Sequence, residues 1–202
     1  QETSSQNPVG ISELTESQII ELSSGNLLQF MRNTRGNGKV VVSRSTDGGA
    51  TWSDPIDTTA PEVYCQLSVL YYDKNGTGGK DRVIMSNPGG TGRNNGTLRI
   101  GEVTETKDSF SVDWVEEKMF CPNNYAYSCL TVLPDGTVGL LYENADTQLT
   151  YKNLYINDIA KGAAIGNIWC TDGEGKTVAD VTMKSGESKE FTVNGMEDGA
   201  EV

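Results

Sequence analysis

Histidine is absent from all 202 residues of the sequence. Without an imidazole, the chain lacks the usual general base, the nucleophilic triads that depend on it, and the commonest ligand of zinc and iron sites. Acid-base or nucleophilic chemistry in this chain must therefore use carboxylates, tyrosine or arginine.

Cysteine is scarce, and the four residues are Cys65, Cys121, Cys129 and Cys170. No two of them have the CxxC spacing that is typical of metal clusters, so we do not expect a metal cluster. No cofactor is expected either. The sequence predicts mostly buried thiols. It leaves open a disulfide between Cys121 and Cys129.

Basic residues and long apolar runs are also in short supply. Sixteen Lys and Arg stand against 28 Asp and Glu, which gives a net charge of -12. Nucleic acids require a concentrated excess of basic residues, so no nucleic-acid partner is expected. No apolar run approaches the roughly 18 residues of a membrane span. The opening stretch "QETSSQNPVG" does not resemble a signal peptide, and any such signal is expected upstream or already removed.

Short β-rich runs of four to eight residues fill most of the chain and alternate with glycine-rich turns. Examples are "NLLQFMR" before "NTRGNG" and "KVVVSRS" before "TDGG". Asp135-Gly136 has the clearest pattern of a two-residue hairpin turn. No long stretch has a helical period, so the sequence predicts an all-β fold.

An internal repeat organises these strands. The segments "ESQIIEL" (16–22), "YCQLSVL" (64–70) and "YSCLTVL" (127–133) superpose without gaps, and each precedes a turn and a second strand. Such repeats are typical of β-propellers, which have about four to eight blades. We predict about three blades, roughly half a propeller, in residues 1–160. Residues 161–202 are predicted to hold a linker and an incomplete immunoglobulin-like, β-sandwich segment.

The repeat register predicts a functional end of the blades. Six polar residues take equivalent positions there: Glu16, Tyr64 and Tyr127 begin the first strands, and Arg32, Asn87 and Glu143 end the second strands. A structural protein more often has small or apolar residues at these places. We therefore expect the six to ring the mouth of the channel, where a propeller presents side chains to a ligand.

The loop "STDGGATW" follows the pattern S-x-D-x-G-x-T-W through Ser45, Asp47, Gly49 and Trp52. It resembles the Asp-box of bacterial neuraminidase-type repeats. Asp47 is expected to accept backbone N–H groups across the glycine turn, and Trp52 to pack between sheets. We interpret the loop as a structural brace, at the opposite end of the blades from the polar ring.

Four further segments, "TESQIIEL", "LLQFMRN", "SNPGGTGRNNGTLRI" and "YAYSCLTVLPDGTVGLLYE", extend the resemblance over about residues 9 to 159. They are similar to secreted bacterial sialidases, which implies a six-bladed β-propeller at the cell surface or outside a bacterium. The resemblance implies these roles: Tyr127 as nucleophile, Glu16 as its base, Arg32 and Arg93 as a clamp on the substrate carboxylate, and Glu143 in support.

The family's first arginine and its acid/base aspartate are absent from the sequence. The implied partners are therefore sialylated glycans and an N-terminal half of the propeller that carries those two residues. Tyr64 is predicted to line the glycerol or aglycone side of the substrate. Tyr125 competes with Tyr127 for the nucleophile's role because strand alternation would place both on one face. The repeat register favours Tyr127.

The implied chemistry suits the substrate. Sialic acid carries a carboxylate on its anomeric carbon, which repels an Asp or Glu nucleophile but not a neutral phenol. A phenol with a pKa near 10 needs a carboxylate to take its proton. The resemblance implies retaining cleavage of terminal α-linked sialic acid through a tyrosyl intermediate. The alternatives are a trans-sialidase, an intramolecular trans-sialidase, and a non-catalytic propeller that binds sialic acid.

Overall fold

The computed structural model describes residues 13–134, 137–145, 148–155, 169–171, 177–178 and 192–194. Every regular element among them is a β-strand, so the all-β prediction is confirmed. The described residues accordingly contain no helix of the length and apolarity that a membrane crossing requires. The predicted turn at Asp135-Gly136 lies outside the described residues.

The chain divides into two compact units, residues 1–159 and residues 160–202. The described part of the first unit forms three antiparallel sheets in which strands adjacent in sequence are paired. The first sheet contains β1 (Leu14–Glu21), β2 (Leu27–Asn33), β3 (Lys39–Ser45) and β4 (Ile56–Pro61). The second contains β5 (Ser68–Asp73), β6 (Asp81–Pro88), β7 (Asn94–Glu105) and β8 (Phe110–Asn124). The third contains β9 (Ser128–Val132), β10 (Val138–Ala145) and β11 (Gln148–Leu154). Each predicted repeat therefore corresponds to one sheet.

The second unit is described through three short strands, β12 (Trp169–Thr171), β13 (Thr177–Val178) and β14 (Thr192–Asn194). Strand β12 lies in the middle and pairs antiparallel with both others. The immunoglobulin-like character of this unit stays a prediction.

Alternating apolar side chains hold the first two sheets together. Leu28, Phe30, Val40 and Val42 of the first sheet are fully buried and share one core with apolar residues of the second sheet. Burial of each such side chain stabilises the fold by about 1.5–3 kcal/mol. The period-2 pattern of β2 and β3 thus directs one face of the first sheet onto its neighbour.

An aromatic cluster joins the second and third sheets. The ring of Tyr125 lies 5.4 Å from that of Phe120 and 5.1 Å from that of Tyr142, centroid to centroid. Tyr125 is completely buried. A Cβ atom at Gly96 of β7 would lie 2.4 Å from the Tyr125 ring, so this close approach requires glycine.

The loop "STDGGATW" connects β3 and β4. Asp47 accepts hydrogen bonds from the backbone N–H of Thr51 at 2.9 Å and from its hydroxyl at 2.6 Å. The hydroxyl of Ser45 accepts the N–H of Gly49 at 2.9 Å. Ser45 pairs with Leu27 at the start of β2, whereas the polar residues lie where β2 ends. The loop is thus closed on itself at the far end of its sheet, where Trp52 is partly exposed.

The first strand of the second repeat is shorter than predicted. It begins at Ser68 and not at Tyr64. Tyr64 has a φ of 56°, a left-handed conformation that β-strands do not contain. Glu16, its counterpart in the first repeat, has a φ of 42° and lies at an irregularity in the pairing of β1 with β2. Both repeats therefore interrupt regular strand geometry at the same position.

The described cysteines are free thiols, so no Cys121–Cys129 disulfide is present. Cys65 and Cys121 are buried as expected, but Cys129 is exposed. Its neighbours Ser128 and Leu130 are buried, and strand alternation turns Cys129 to the opposite face of the third sheet. The side chain of Cys170 lies outside the described residues.

We predict that Gly96→Ala lowers the free energy of unfolding by about 1–3 kcal/mol, the usual cost of overpacking, because the new methyl group would displace the Tyr125 ring. Gly92→Ala is the matched control, since nothing lies within 4 Å of a Cβ atom at Gly92. Urea unfolding of the full-length protein measures both. Equal stabilities of the two variants would contradict the role assigned to Gly96.

Candidate active site

The site is organised around a hydrogen bond between two sheets. The hydroxyl of Tyr127 donates to Glu16 Oε1 at 2.8 Å, across 111 positions of sequence. Glu16 belongs to β1 in the first sheet, and Tyr127 immediately precedes β9 in the third sheet. A phenol and a carboxylate in this arrangement are suited to proton transfer, since both lie within hydrogen-bond reach.

Arg32 lies beside both groups. Its Nη1 donates to Glu16 Oε2 at 2.7 Å and to the Tyr127 hydroxyl at 3.3 Å. The Arg32 side chain is 17% exposed and that of Glu16 is 33% exposed, so the ion pair lies at a solvent-accessible surface. One guanidinium nitrogen therefore donates to both the Glu16 carboxylate and the Tyr127 hydroxyl.

Arg93 approaches from the loop between β6 and β7. Its Cζ lies 5.4 Å from the centroid of the Tyr127 ring, a cation–π distance. Its Nη2 donates to the backbone carbonyl of Tyr64 at 3.1 Å. The Tyr64 backbone makes this contact, and its side chain is half-exposed.

Glu143 fixes the backbone of Tyr127. Its Oε2 accepts the Tyr127 N–H at 3.3 Å, and its own N–H donates to the Tyr127 carbonyl at 2.9 Å. The Glu143 carbonyl also accepts the N–H of Ala126 at 3.0 Å. The carboxylate and backbone of one residue thus hold the segment that carries the phenol.

Tyr125 lies in a different environment from Tyr127. Complete burial raises its pKa above the ordinary value for tyrosine. The expectation that both rings share one face was wrong, because residues 125–127 form the connection between β8 and β9 and do not follow strand alternation. The structure places Tyr127, and not Tyr125, against the carboxylate of Glu16.

Asn87 does not belong to the polar ring, contrary to expectation. It is almost fully buried, donates to the carbonyl of Pro61 at 2.7 Å and accepts a hydrogen bond from the guanidinium of Arg99. These bonds satisfy its amide inside the fold. Five of the six predicted positions therefore assemble with Arg93 at one end of the sheets, and Asn87 supports the interior.

The charges around Glu16 keep it ionised. Partial burial raises its pKa, but hydrogen bonds from Arg32 and Tyr127 and the positive charges of Arg32 and Arg93 outweigh that effect and lower the pKa below 4.5. The hydrogen bond to Glu16 in turn raises the pKa of Arg32. Glu16 is therefore a carboxylate that is held by an arginine.

The hydrogen bonds that side chains of one repeat make to the sheet of the next were not predicted from the sequence. Gln18 accepts the Val69 N–H at 2.6 Å, and Gln66 accepts the Ser128 N–H at 2.9 Å. A signal was present, since glutamine takes the third position in two of the three aligned repeats. Among the described residues, no group of three or more Cys, Asp or Glu is placed to bind a metal.

No family model matches the chain. Over 156 residues the chain is 40% identical to the anhydrosialidase of Macrobdella decora, covering 72% of this chain and 20% of that protein. Over 154 residues it is 34% identical to a sialidase of Bacteroides fragilis, covering 73% of this chain and 27% of that protein.

Solved structures agree with these relatives. The intramolecular trans-sialidase of Ruminococcus gnavus in complex with oseltamivir carboxylate is 36% identical, with a TM-score of 0.63, over 71% of this chain and 33% of that one. The leech intramolecular trans-sialidase with 2,7-anhydro-Neu5Ac is 34% identical, with a TM-score of 0.63. The match covers 71% of this chain and 24% of that one.

The three sheets of the first unit are blades of a β-propeller of the sialidase type. The chain is a homologue of the sialidases, and the resemblance read from its motifs is confirmed. It spans only about a fifth to a quarter of the length of these curated relatives.

We predict that Arg32→Met raises the pKa of Glu16, because the substitution removes a hydrogen bond and a positive charge that both favour the carboxylate. NMR titration of ¹³C-labelled glutamate side chains, assigned with Glu16→Gln, measures the change. Arg35→Met is the control, since Arg35 pairs with Asp57 at 3.2 Å. A Glu16 pKa that does not respond to Arg32→Met would contradict this reading of the site.

Proposed function

We propose that the whole protein removes terminal α-linked sialic acid from glycoconjugates with retention, and that Tyr127 is its nucleophile. The observation that carries the proposal is the 2.8 Å hydrogen bond from the Tyr127 hydroxyl to Glu16, flanked by Arg32 and Arg93. Homology to sialidases supports the substrate class.

In the first step, the Tyr127 oxygen forms a bond to the anomeric carbon while Glu16 takes the phenolic proton. The bond from that carbon to the aglycone oxygen breaks. The departing oxygen takes a proton from a general acid, which the family resemblance assigns to another part of the protein. Water then attacks the anomeric carbon and gives its proton to the general acid, which the first step left deprotonated. The bond from that carbon to the Tyr127 oxygen breaks, Glu16 returns the proton to the phenol, and sialic acid leaves with its original configuration.

The charge of the substrate explains both the nucleophile and its neighbours. The carboxylate on the anomeric carbon would repel an Asp or Glu nucleophile, whereas the phenol of Tyr127 approaches as a neutral group. The guanidinium groups of Arg32 and Arg93 offer the charge-assisted hydrogen bonds that a carboxylate favours. They would hold the substrate with its anomeric carbon above the Tyr127 hydroxyl.

Binding of this substrate would also strengthen the base. Arg32 Nη1 bonds Glu16 at 2.7 Å, which lowers the pKa of the carboxylate and makes it a weak proton acceptor. A substrate carboxylate competes for the same guanidinium and weakens that bond. The pKa of Glu16 would then rise toward its ordinary value, and transfer of the phenolic proton becomes easier.

The exposed apolar face of the third sheet supports a further partner. Leu141, Leu149 and Tyr151 are 43%, 68% and 57% exposed on this face. In a propeller such a face packs against the next blade. The proposed occupant is a blade from the N-terminal half of the sialidase fold.

The test is covalent trapping in the full-length protein. A 3-fluoro-sialosyl fluoride is expected to label Tyr127, because the fluorine slows breakdown of the intermediate, and peptide mass spectrometry locates the label. Tyr127→Phe should abolish labelling, and Glu16→Gln should slow it about 10²- to 10⁴-fold. Tyr125→Phe is the matched control and should be labelled at the rate of the unmodified protein. A label on Tyr125 or on a carboxylate would overturn the assignment.

A second candidate is an intramolecular trans-sialidase, favoured by the relatives that carry that description at 34–36% identity. Both reactions share the tyrosyl intermediate and differ in what attacks it. In H₂¹⁸O, we expect free sialic acid with ¹⁸O at the anomeric carbon. A 2,7-anhydro product without ¹⁸O would establish the second candidate instead. Binding of sialosides without any product would identify a non-catalytic propeller.

A further inference from the structure

The first strand of the third sheet has one unpaired edge. Strand β9 pairs with β10 on one side and ends the sheet on the other. In antiparallel strands, the N–H and C=O of one residue point to the same side, and those of the next residue point to the opposite side. Tyr127 directs both groups to Glu143, so Ser128 presents both of its own to the unpaired edge.

Gln66 of the second repeat fills this edge. Its Oε1 accepts the N–H of Ser128 at 2.9 Å, and its Nε2 donates to the C=O of Ser128 at 3.1 Å. These are the two bonds that a residue of a neighbouring antiparallel strand would make. The carboxamide of Gln66 therefore makes the hydrogen bonds to Ser128, the residue after Tyr127, that a neighbouring strand would otherwise make.

The same strand edge is bonded two residues further on. Ser68, at the start of β5, accepts the N–H of Leu130 at 3.0 Å. This contact also joins the second and third sheets, but it lies further from Tyr127 along the chain and is a single bond. It provides a matched comparison for the two bonds of Gln66.

We propose that Gln66 is a positioning residue for Tyr127, holding the phenol at the height at which it meets Glu16 and lies beneath Arg93. The second sheet carries the loop of Arg93 and the Tyr64 carbonyl that binds it. The bonds of Gln66 to Ser128 therefore fix the position of Tyr127 relative to the second repeat, which also carries Arg93. The expected effect on reactivity rests on the proposed function of Tyr127. The claim that Gln66 fixes the position of the Tyr127 ring does not.

Accurate placement matters for reactivity, because a misplacement of about 1 Å costs on the order of 10²-fold in rate. Gln66→Ala removes both bonds to Ser128. In the full-length protein it is expected to slow labelling of Tyr127 by the 3-fluoro-sialosyl fluoride about 10²-fold. The Kd of 2-deoxy-2,3-didehydro-sialic acid, which needs the arginines but no attack by Tyr127, should change less than about threefold. Ser68→Ala should change neither value more than about threefold.

Gln66→Glu separates positioning from packing. As a carboxylate, the new side chain accepts the Ser128 N–H but sets an anionic oxygen against the Ser128 carbonyl. As a carboxylic acid it again both accepts and donates, which restores the two bonds. Labelling relative to the unmodified protein at the same pH should be about 10²-fold slower at pH 7 and recover at least about tenfold at pH 5.

The charged groups around this segment are Arg32, Arg93, Glu16 and Glu62, which all act on the neighbouring Cys65. Glu16 stays largely ionised down to pH 5 because its pKa lies below 4.5. Comparison with the unmodified protein at each pH removes any remaining effect of these groups. Recovery at pH 5 is thus assigned to the introduced carboxyl group.

A second measurement does not depend on catalysis. With 3-fluorotyrosine at position 127, the ¹⁹F shift reports the surroundings of the ring. We expect a changed ¹⁹F shift in Gln66→Ala and in Gln66→Glu at pH 7, and a return toward the original shift in Gln66→Glu at pH 5. The shift should be unchanged in Ser68→Ala.

An unchanged ¹⁹F shift in Gln66→Ala, or a Gln66→Glu deficit that is equal at both pH values, would overturn the positioning role. If Gln66→Ala does not fold, the comparison of Gln66→Glu at pH 5 and pH 7 decides alone. If the ¹⁹F shift responds as expected but the reagent never labels Tyr127, the proposed function is wrong and the positioning role of Gln66 still holds.

Discussion

Unpaired strand edges are the constraint on which this arrangement depends. A buried backbone N–H or C=O without a partner costs about as much as a lost hydrogen bond, and the first strand of each sheet presents a row of such groups. Side chains of the preceding repeat satisfy several of them: Gln18 bonds Val69 of the second sheet, and Gln66 and Ser68 bond Ser128 and Leu130 of the third. Of these, the two bonds of Gln66 lie next to Tyr127, whose hydroxyl meets Glu16 of the first sheet.

An ion pair within the protein organises the charges of the candidate site. Arg32 neutralises Glu16 and contacts the phenol, while Arg93 lies over the Tyr127 ring. Under the proposed function, an anion that draws Arg32 away from Glu16 would link its binding to the activation of Glu16 as a base. Two neighbouring guanidinium groups favour an anionic ligand.

Two residues of the candidate site have strained backbone. Glu16 and Tyr64 both have positive φ angles, which cost of order 1–3 kcal/mol for residues other than glycine. At Glu16 the strain lies at an irregularity of β1, and at Tyr64 it precedes β5 in the segment whose carbonyl binds Arg93. The packed core between the first two sheets stabilises the fold against this cost.

Local pattern in the sequence determined the strands, the three repeats and the end of the sheets that holds Glu16, Arg32 and Tyr127, because alternation and turn chemistry act over a few residues. Family motifs added Arg93 and the sialidase class. Tertiary structure alone decided that Tyr125 is buried, that Asn87 faces Arg99, that Cys129 is exposed, and that Gln66 pairs with Ser128. Each of these depends on which sheet packs on which, and contacts between distant segments leave no periodic signal in the chain.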